Sequence, residues 1–308
     1  MNNSLLIKNA RIVNEGNIKN GDLMIRRGRI EKIDSSIDAD DSMPVLDAGG
    51  AFLLPGMIDD QVHFREPGLT HKAGIWSESR AAVAGGITSF MEMPNTLPPT
   101  VTLEALEDKY AIAAQKSLAN YAFYLGATND NLDQIRSLPP GAACGIKIFM
   151  GASTGNMLVD NENTLAGIFR DAPTLIATHC ESTPMIQKNL KSALEKYGRE
   201  IPLTQHPLIR SAEACYQSTQ TAIALAREHD AQLHVLHLTT AREMELFEPG
   251  PIEGKSITAE VCVHHLHFCS EDYPRLGNLI KCNPAIKTAA DRSALRAALK
   301  DGRLDIIA

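Results

Sequence analysis

From residue 57 onward, short apolar runs alternate with stretches of helical periodicity, and this alternation constrains the fold more than any other feature of the sequence. The runs are rich in Val and Ile, as parallel strands covered by helices should be. We predict strands near 57–63, 87–93, 121–127, 144–150, 174–179, 232–238 and 256–263, and an eighth that begins at Asp305. Eight such strands separated by helices predict an α/β fold of the (β/α)8 TIM-type barrel class.

Residues 1–56 have a different pattern, in which short apolar runs are separated by turn signals such as Asn-Glu-Gly and Arg-Gly. We predict that 1–56 is a small N-terminal β-sandwich segment and that 57–308 is the barrel. The last apolar run reaches only Ala308, just after the eighth strand begins. A barrel without that strand would leave unpaired edges, so we expect the barrel to be incomplete here and the sequence to belong to a longer protein.

The overall composition narrows the choice of partners and compartment. A net charge of −7 argues against nucleic acid or an anionic membrane surface as the main partner. No window approaches 18 apolar residues, and the first residues lack the pattern of a signal peptide, so we expect neither a membrane span nor secretion. The six cysteines include no Cys-x-x-Cys pair and are expected to be reduced thiols in a cytoplasmic protein.

Polar side chains occur at or near the carboxyl ends of the predicted strands, where a barrel of this kind carries its chemistry. They are Gln61, His63, Arg65, Asn95, Lys147, His179, His237 and Asn283. A single His in an apolar run is more often a hydrogen-bonded core residue than a metal ligand. Three on different strands at the same end of the barrel predict a zinc site, because neutral imidazole is a good zinc ligand.

Lys147 lies inside an apolar strand, where a buried charge costs several kcal/mol unless it is paired or neutralised. One interpretation is that its side chain reaches the barrel mouth and keeps its charge in water. The other is that the apolar surroundings lower its pKa and expose a nucleophilic amine. Such an amine can take up carbon dioxide as a carbamate, which would bridge two metal ions as a carboxylate does.

Other histidines receive a structural interpretation. His234 precedes His237 by three residues, so we expect it to face the opposite side of the same strand. His264, His265 and His267 form a cluster that we also interpret as structural.

The segment 59–63 (Asp-Asp-Gln-Val-His) resembles the Asp-x-His-x-His strand that opens the barrel of cyclic amidohydrolases. Its continuation Phe-Arg-Glu-Pro-Gly and the later Met-Pro-Asn-Thr are similar to dihydroorotases of the larger type that occurs in multidomain complexes. The segment 147–153 is similar to the strand of amidohydrolases that carries a carboxylated lysine. The resemblance covers essentially the whole chain and implies that 1–56 is part of a composite β domain.

The resemblance implies a role for each metal-site residue. His63 would bind a first metal ion, a carboxylated Lys147 would bridge two ions, and His179 and His237 would bind the second. Gln61 departs from the pattern, since it stands where the family has the first His and offers only an amide oxygen, a poorer zinc ligand. We therefore expect one or two zinc ions, with the first site less occupied.

The implied reaction interconverts L-dihydroorotate and N-carbamoyl-L-aspartate in pyrimidine biosynthesis. The substrate-binding residues would be His63, Arg65, Asn95 and Asn283, with Arg65 and Asn95 on the substrate carboxylate and Asn283 on the ring. The family takes its acid/base Asp from the eighth strand, within Ile-Ala-Thr-Asp-His-Ala-Pro-His. That Asp is expected just after Ala308, so no catalytic residue is assigned in the chain, which is expected to be inactive as it stands.

Three functions remain open at this point. The first is dihydroorotase activity, and the second is a hydantoinase-like or allantoinase-like cyclic amidase. The third is a non-catalytic scaffold for aspartate transcarbamoylase, which Gln61 favours and the retained polar residues oppose. The expected partners are the small-molecule substrate, a second copy in a homodimer, and aspartate transcarbamoylase.

Overall fold

The computed structural model describes residues 4–39, 43–151 and 156–308. The chain forms two compact units, Met1–Met57 and Ile58–Ala308. Among the described helices, none is both long and apolar enough to cross a membrane.

The first unit is built on one β-sheet. Its strands are β1 (Leu5–Asn14), β2 (Asn17–Arg26), β3 (Arg29–Asp34), β4 (Val45–Asp47) and β5 (Phe52–Leu53). Strands β1, β2 and β3 form antiparallel hairpins, while β4 and β5 each pair in parallel with β1. Both hairpin turns have two residues with positive φ, 15–16 and 27–28, as the twist of paired strands requires. The predicted N-terminal β segment is confirmed, whereas its place in a composite domain stays a prediction.

Eight further strands, which we number β6 to β13, follow along the chain. They are β6 (Met57–Val62), β7 (Ile87–Glu92), β8 (Asn120–Gly126), β9 (Gly145–Phe149), β10 (Ile176–His179), β11 (Leu233–Val235), β12 (Ile257–Val261) and β13 (Ile306–Ile307). They follow one another in sequence order across a single eight-stranded sheet, and the registers determined between neighbours are parallel. This arrangement confirms the predicted α/β barrel class.

Helices connect most of these strands. They are α1 (Ile75–Ala84), α2 (Leu103–Lys116), α3 (Leu132–Arg136), α4 (Glu162–Asp171), α5 (Thr183–Tyr197), α6 (His206–Ile209), α7 (Ala212–His229), α8 (Val263–His267), α9 (Tyr273–Leu276) and α10 (Ala289–Asp301). Side-chain caps begin several of them; for example, the Thr102 hydroxyl accepts a hydrogen bond from the backbone N–H of Ala105 at 3.1 Å.

Side chains alternate between two environments along β9. Ile146 and Ile148 belong to the main hydrophobic core. Lys147 and Phe149 point the other way and line a cavity. This two-residue period places the lysine on the opposite side of the strand from the apolar core.

Two predicted strands are too long at their carboxyl ends. The sixth was predicted to reach 238, but β11 ends at Val235, and His237 has a left-handed backbone with φ 42°. The seventh was predicted to reach 263, but β12 ends at Val261, and Cys262 is the N-cap of α8. Both strands therefore end before the polar residues that follow them.

Candidate active site

A cavity of about 750 Å³ is lined by residues at or just beyond the carboxyl ends of the barrel strands. The predicted site residues that line it are His63, Arg65, Asn95, Lys147, His179, His237 and Asn283, together with Gln61. The structure thus brings together every site residue that the sequence predicted. Ala152 and Ser153, at the end of the segment that resembles the carboxylated-lysine strand, lie outside the described residues.

His63 is held by an amide. Its Nδ1 lies 2.8 Å from Oδ1 of Asn95. Since an amide oxygen only accepts, Nδ1 carries the proton and Nε2 keeps a lone pair for a ligand. Desolvation lowers the pKa of His63 to about 3, so the ring is neutral at physiological pH. Arg65 donates from Nη1 to the backbone carbonyl of the same Asn95 at 3.4 Å, which joins the two predicted carboxylate-binding residues.

His179 and His237 are buried and face each other. Nδ1 of His179 lies 3.0 Å from Nε2 of His237, and the ring planes meet at 77°. Nε2 of His179 lies 2.8 Å from Oε2 of Glu181, which also forms an ion pair with Arg210. Burial lowers the pKa of both rings, that of His237 well below its usual value. The two nitrogens that face each other therefore belong to neutral imidazoles.

Lys147 is 1% exposed, so its side chain does not reach water. Its Nζ lies 4.6 Å from the ring centre of Phe149, and no described carboxylate lies within ion-pair distance. Burial lowers the pKa of Lys147 to about 7. At physiological pH, the Lys147 amine is therefore neutral and nucleophilic in a large fraction of the molecules. This agrees with the interpretation that its apolar surroundings lower its pKa.

The structure adds positioning residues that sequence reasoning missed. Glu181 is one of them. Its position two residues after His179, at the end of a strand, could have identified it in the sequence. Glu260 is another, because its Oε1 accepts a hydrogen bond from the backbone N–H of His237 at 3.0 Å. An acidic residue within the apolar strand β12 is the same kind of signal that singled out Lys147.

The prediction that His234 faces away from the barrel interior is wrong. Its Nε2 lies 3.3 Å from Asp60 and 3.4 Å from Glu260, in a fully buried cluster. The alternation argument assumed an extended strand as far as His237, but the strand ends at Val235. Burial alone would lower the pKa of His234, yet hydrogen bonds to the two carboxylates raise it to about 9. His234 is thus a buried cation between two acids.

The later histidines lie on the short helix α8, and their structural interpretation stays a prediction. His264 and His265 both line the cavity.

The predicted ligand group fits a metal centre. It combines three neutral imidazoles with a lysine amine that has no ionic partner among the described residues. Nδ1 of His237 is also buried without a hydrogen-bond partner there, which costs about 1–3 kcal/mol. The carboxylate on Nε2 of His179 is the kind of outer partner that orients histidines at metal sites.

Comparison with known proteins identifies the family. No protein-family model matches the chain. The chain is 33% identical to an allantoinase of Deinococcus radiodurans, over 100% of the chain and 69% of that protein. It is 31% identical to a dihydroorotase of Methanosarcina acetivorans, over 98% of the chain and 66% of that protein.

A solved structure gives the same result. The L-hydantoinase (dihydropyrimidinase) from Arthrobacter aurescens superposes with a TM-score of 0.92 at 28% identity, over 100% of the chain and 68% of that protein. The chain thus spans about two thirds of the length of these relatives. Relatives of all three kinds match, so the comparison does not choose among their substrates. The chain belongs to the cyclic amidohydrolases of the amidohydrolase superfamily, the family of these allantoinases, hydantoinases and dihydroorotases.

Proposed function

We propose that the protein interconverts L-dihydroorotate and N-carbamoyl-L-aspartate by reversible hydrolysis of a cyclic amide. The observation that carries the proposal is the presence of Arg65 and Asn95 in the same cavity as the metal-ligand group. A guanidinium beside an amide suits a carboxylate. Dihydroorotate carries a carboxylate on its ring, whereas the unsubstituted hydantoin ring and allantoin carry none.

His63, Lys147, His179 and His237 would hold the metal, as one zinc ion or two. Zinc bound there would polarise the amide carbonyl and acidify the attacking water. The neutral Lys147 amine would form an N–C bond to carbon dioxide and release a proton to water, which gives a carbamate with two oxygen ligands. Gln61 would leave the first position with fewer strong ligands than the second.

The surrounding residues would hold these groups in place. Asn95 fixes the proton of His63 on Nδ1, and Glu181 fixes the ring of His179. Among the described residues that line the cavity, none is a carboxylate that could carry a proton to the ring nitrogen. The Asp expected after Ala308 would supply that group, and it stays a prediction.

A second candidate is a hydantoinase-like or allantoinase-like amidase. The similarity to the L-hydantoinase structure, with a TM-score of 0.92, favours it. The scaffold role, the homodimer, the aspartate transcarbamoylase partner and the cytoplasmic location stay predictions as well.

Calorimetric titration of the zinc-loaded protein with L-dihydroorotate, hydantoin and allantoin tests the proposal, with turnover measured separately. We expect dihydroorotate to bind most tightly. Arg65→Gln should weaken its binding by about 10- to 100-fold, the value of a charged hydrogen bond, and leave hydantoin binding unchanged. Arg199→Gln, at an exposed position outside the cavity, is the matched control. Turnover of hydantoin or allantoin without binding of dihydroorotate would refute the proposal in favour of the second candidate.

A further inference from the structure

We propose a separate metal site in the wall of the same cavity, formed by Cys262, His264 and His265 and suited to a divalent ion of the zinc type. None of these residues belongs to the ligand group described above. The inference does not depend on which cyclic amide the protein hydrolyses.

The three donors come from one rigid piece of backbone. Cys262 is the N-cap of α8, and its carbonyl accepts hydrogen bonds from the backbone N–H groups of His265 at 3.0 Å and Leu266 at 3.4 Å. One donor atom from each of Cys262, His264 and His265 lies within 4.8 Å of the other two. Donors around a tetrahedral zinc ion stand about 3.5 Å apart, so small side-chain rotations would close the site.

The protonation of His265 gives independent support. Its Nε2 lies 3.1 Å from the backbone carbonyl of Pro284, which only accepts, so Nε2 carries the proton. Nδ1 is then an unprotonated nitrogen, and it is buried without a hydrogen-bond partner among the described residues. A ring that donates one N–H to a carbonyl and leaves the other nitrogen free is oriented as metal-binding histidines are.

Gln61 forms a hydrogen bond with the proposed sulfur ligand. The thiol of Cys262 donates to Oε1 of Gln61 at 3.4 Å. On binding a cation, Cys262 would lose its proton to water, and the Gln61 amide could turn to donate its N–H to the thiolate. The residue that departs from the family motif therefore acts here as a positioning residue for the sulfur.

The fourth position of the ion would face the cavity. Three protein ligands leave one position of a tetrahedral zinc ion open, and all three residues line the cavity. Cys282 is not part of the donor set, because its thiol donates to the Pro284 carbonyl at 3.2 Å and lies 3.7 Å from Nε2 of His265. A water molecule or a polar group of the substrate would occupy the open position.

Titration with Co²⁺ tests the proposal, because a thiolate ligand gives a near-ultraviolet charge-transfer band that nitrogen and oxygen ligands do not. The group of His63, Lys147, His179 and His237 contains no thiol. We expect the band to level off at the intensity of one thiolate-bound cobalt ion per chain once both ligand groups are filled, and zinc to displace it. Cys262→Ser should abolish the band, and His264→Asn should weaken cobalt binding by about 10- to 100-fold.

Cys282→Ser is the matched control and should keep both the band and the affinity. Thermal unfolding of each metal-free variant shows that it is folded. The proposal is overturned if cobalt saturates the protein without the band, if the band survives Cys262→Ser, or if Cys282→Ser removes it. Calorimetry with dihydroorotate on the same samples reports the proposed function separately, since that binding depends on Arg65.

Discussion

Replacing Lys147 by methionine should stabilise the metal-free protein. The pKa of Lys147 falls from 10.5 to about 7 on folding, because burial penalises the charged amine. This difference, at about 1.4 kcal/mol for each pH unit, corresponds to about 5 kcal/mol of lost stability when the amine is charged. Between those two pKa values the unfolded chain binds more protons than the folded one, so stability rises with pH. Methionine removes the penalty, which at pH 7 amounts to about 4 kcal/mol.

Urea unfolding of both proteins at a series of pH values, in carbon dioxide-free buffer with a chelator, measures the effect. The gap in unfolding free energy should be largest at pH 7 and below, and should close as pH rises towards 10.5. Lys109→Met is the matched control, because Lys109 is equally buried but lies 2.7 Å from Glu92. Loss of that partner should destabilise the protein by about 3–5 kcal/mol. A Lys147→Met variant that is less stable than the parent at pH 7, or a gap that does not vary with pH, would refute the reasoning.

Three further predictions concern the metal centre and its surroundings. Gln61→His should tighten zinc binding at the first site by about 10-fold or more, measured by competition with a chelating dye, and an unchanged affinity would contradict the ligand argument. Glu181→Gln should weaken zinc binding by about 10- to 100-fold, because His179 loses its carboxylate partner; equal affinity would show that the contact is incidental. The raised pKa of His234, about 9, means that its stabilisation is fully present below pH 6.5 and is lost as pH rises through about 9. The stability difference between the parent and His234→Asn should shrink over that range, and a constant difference would rule out the buried cation.

The sequence was sufficient to predict the barrel and the polar residues that share its cavity. Strand periodicity located the eight strands, and β9 shows why, since its apolar Ile residues alternate with cavity-facing ones. The carboxyl ends of parallel strands lie at the same edge of the sheet. Residues far apart in sequence could therefore be predicted to lie close together. Lys147 was identified because burying a charge inside an apolar strand costs several kcal/mol of folding free energy.

The remaining features depend on backbone and side-chain geometry, which the hydrophobic periodicity of the sequence does not predict. His234 was assigned to the wrong side because the strand was assumed to continue through 236–238. The seventh strand was predicted to continue to 263, although it ends at Val261 and the helix α8 begins at Val263. Glu181 forms an ion pair with Arg210, which is remote in sequence and comes close only in the folded chain. The sequence pattern therefore could not show that Glu181 is paired and not solvated. Such contacts are products of the tertiary structure.

The backbone at His237 restricts which amino acids the position can accept. A φ of 42° is costly for most L-residues and worst for β-branched ones, whereas Gly, Asn, Asp and His accept it more readily. The backbone conformation therefore limits the residues that position 237 can accept, whatever its side chain binds. Asn or Gly should be tolerated here better than Val or Ile. For the same reason, His237→Asn would report on ligand loss alone, whereas His237→Val would also strain the loop that Glu260 holds.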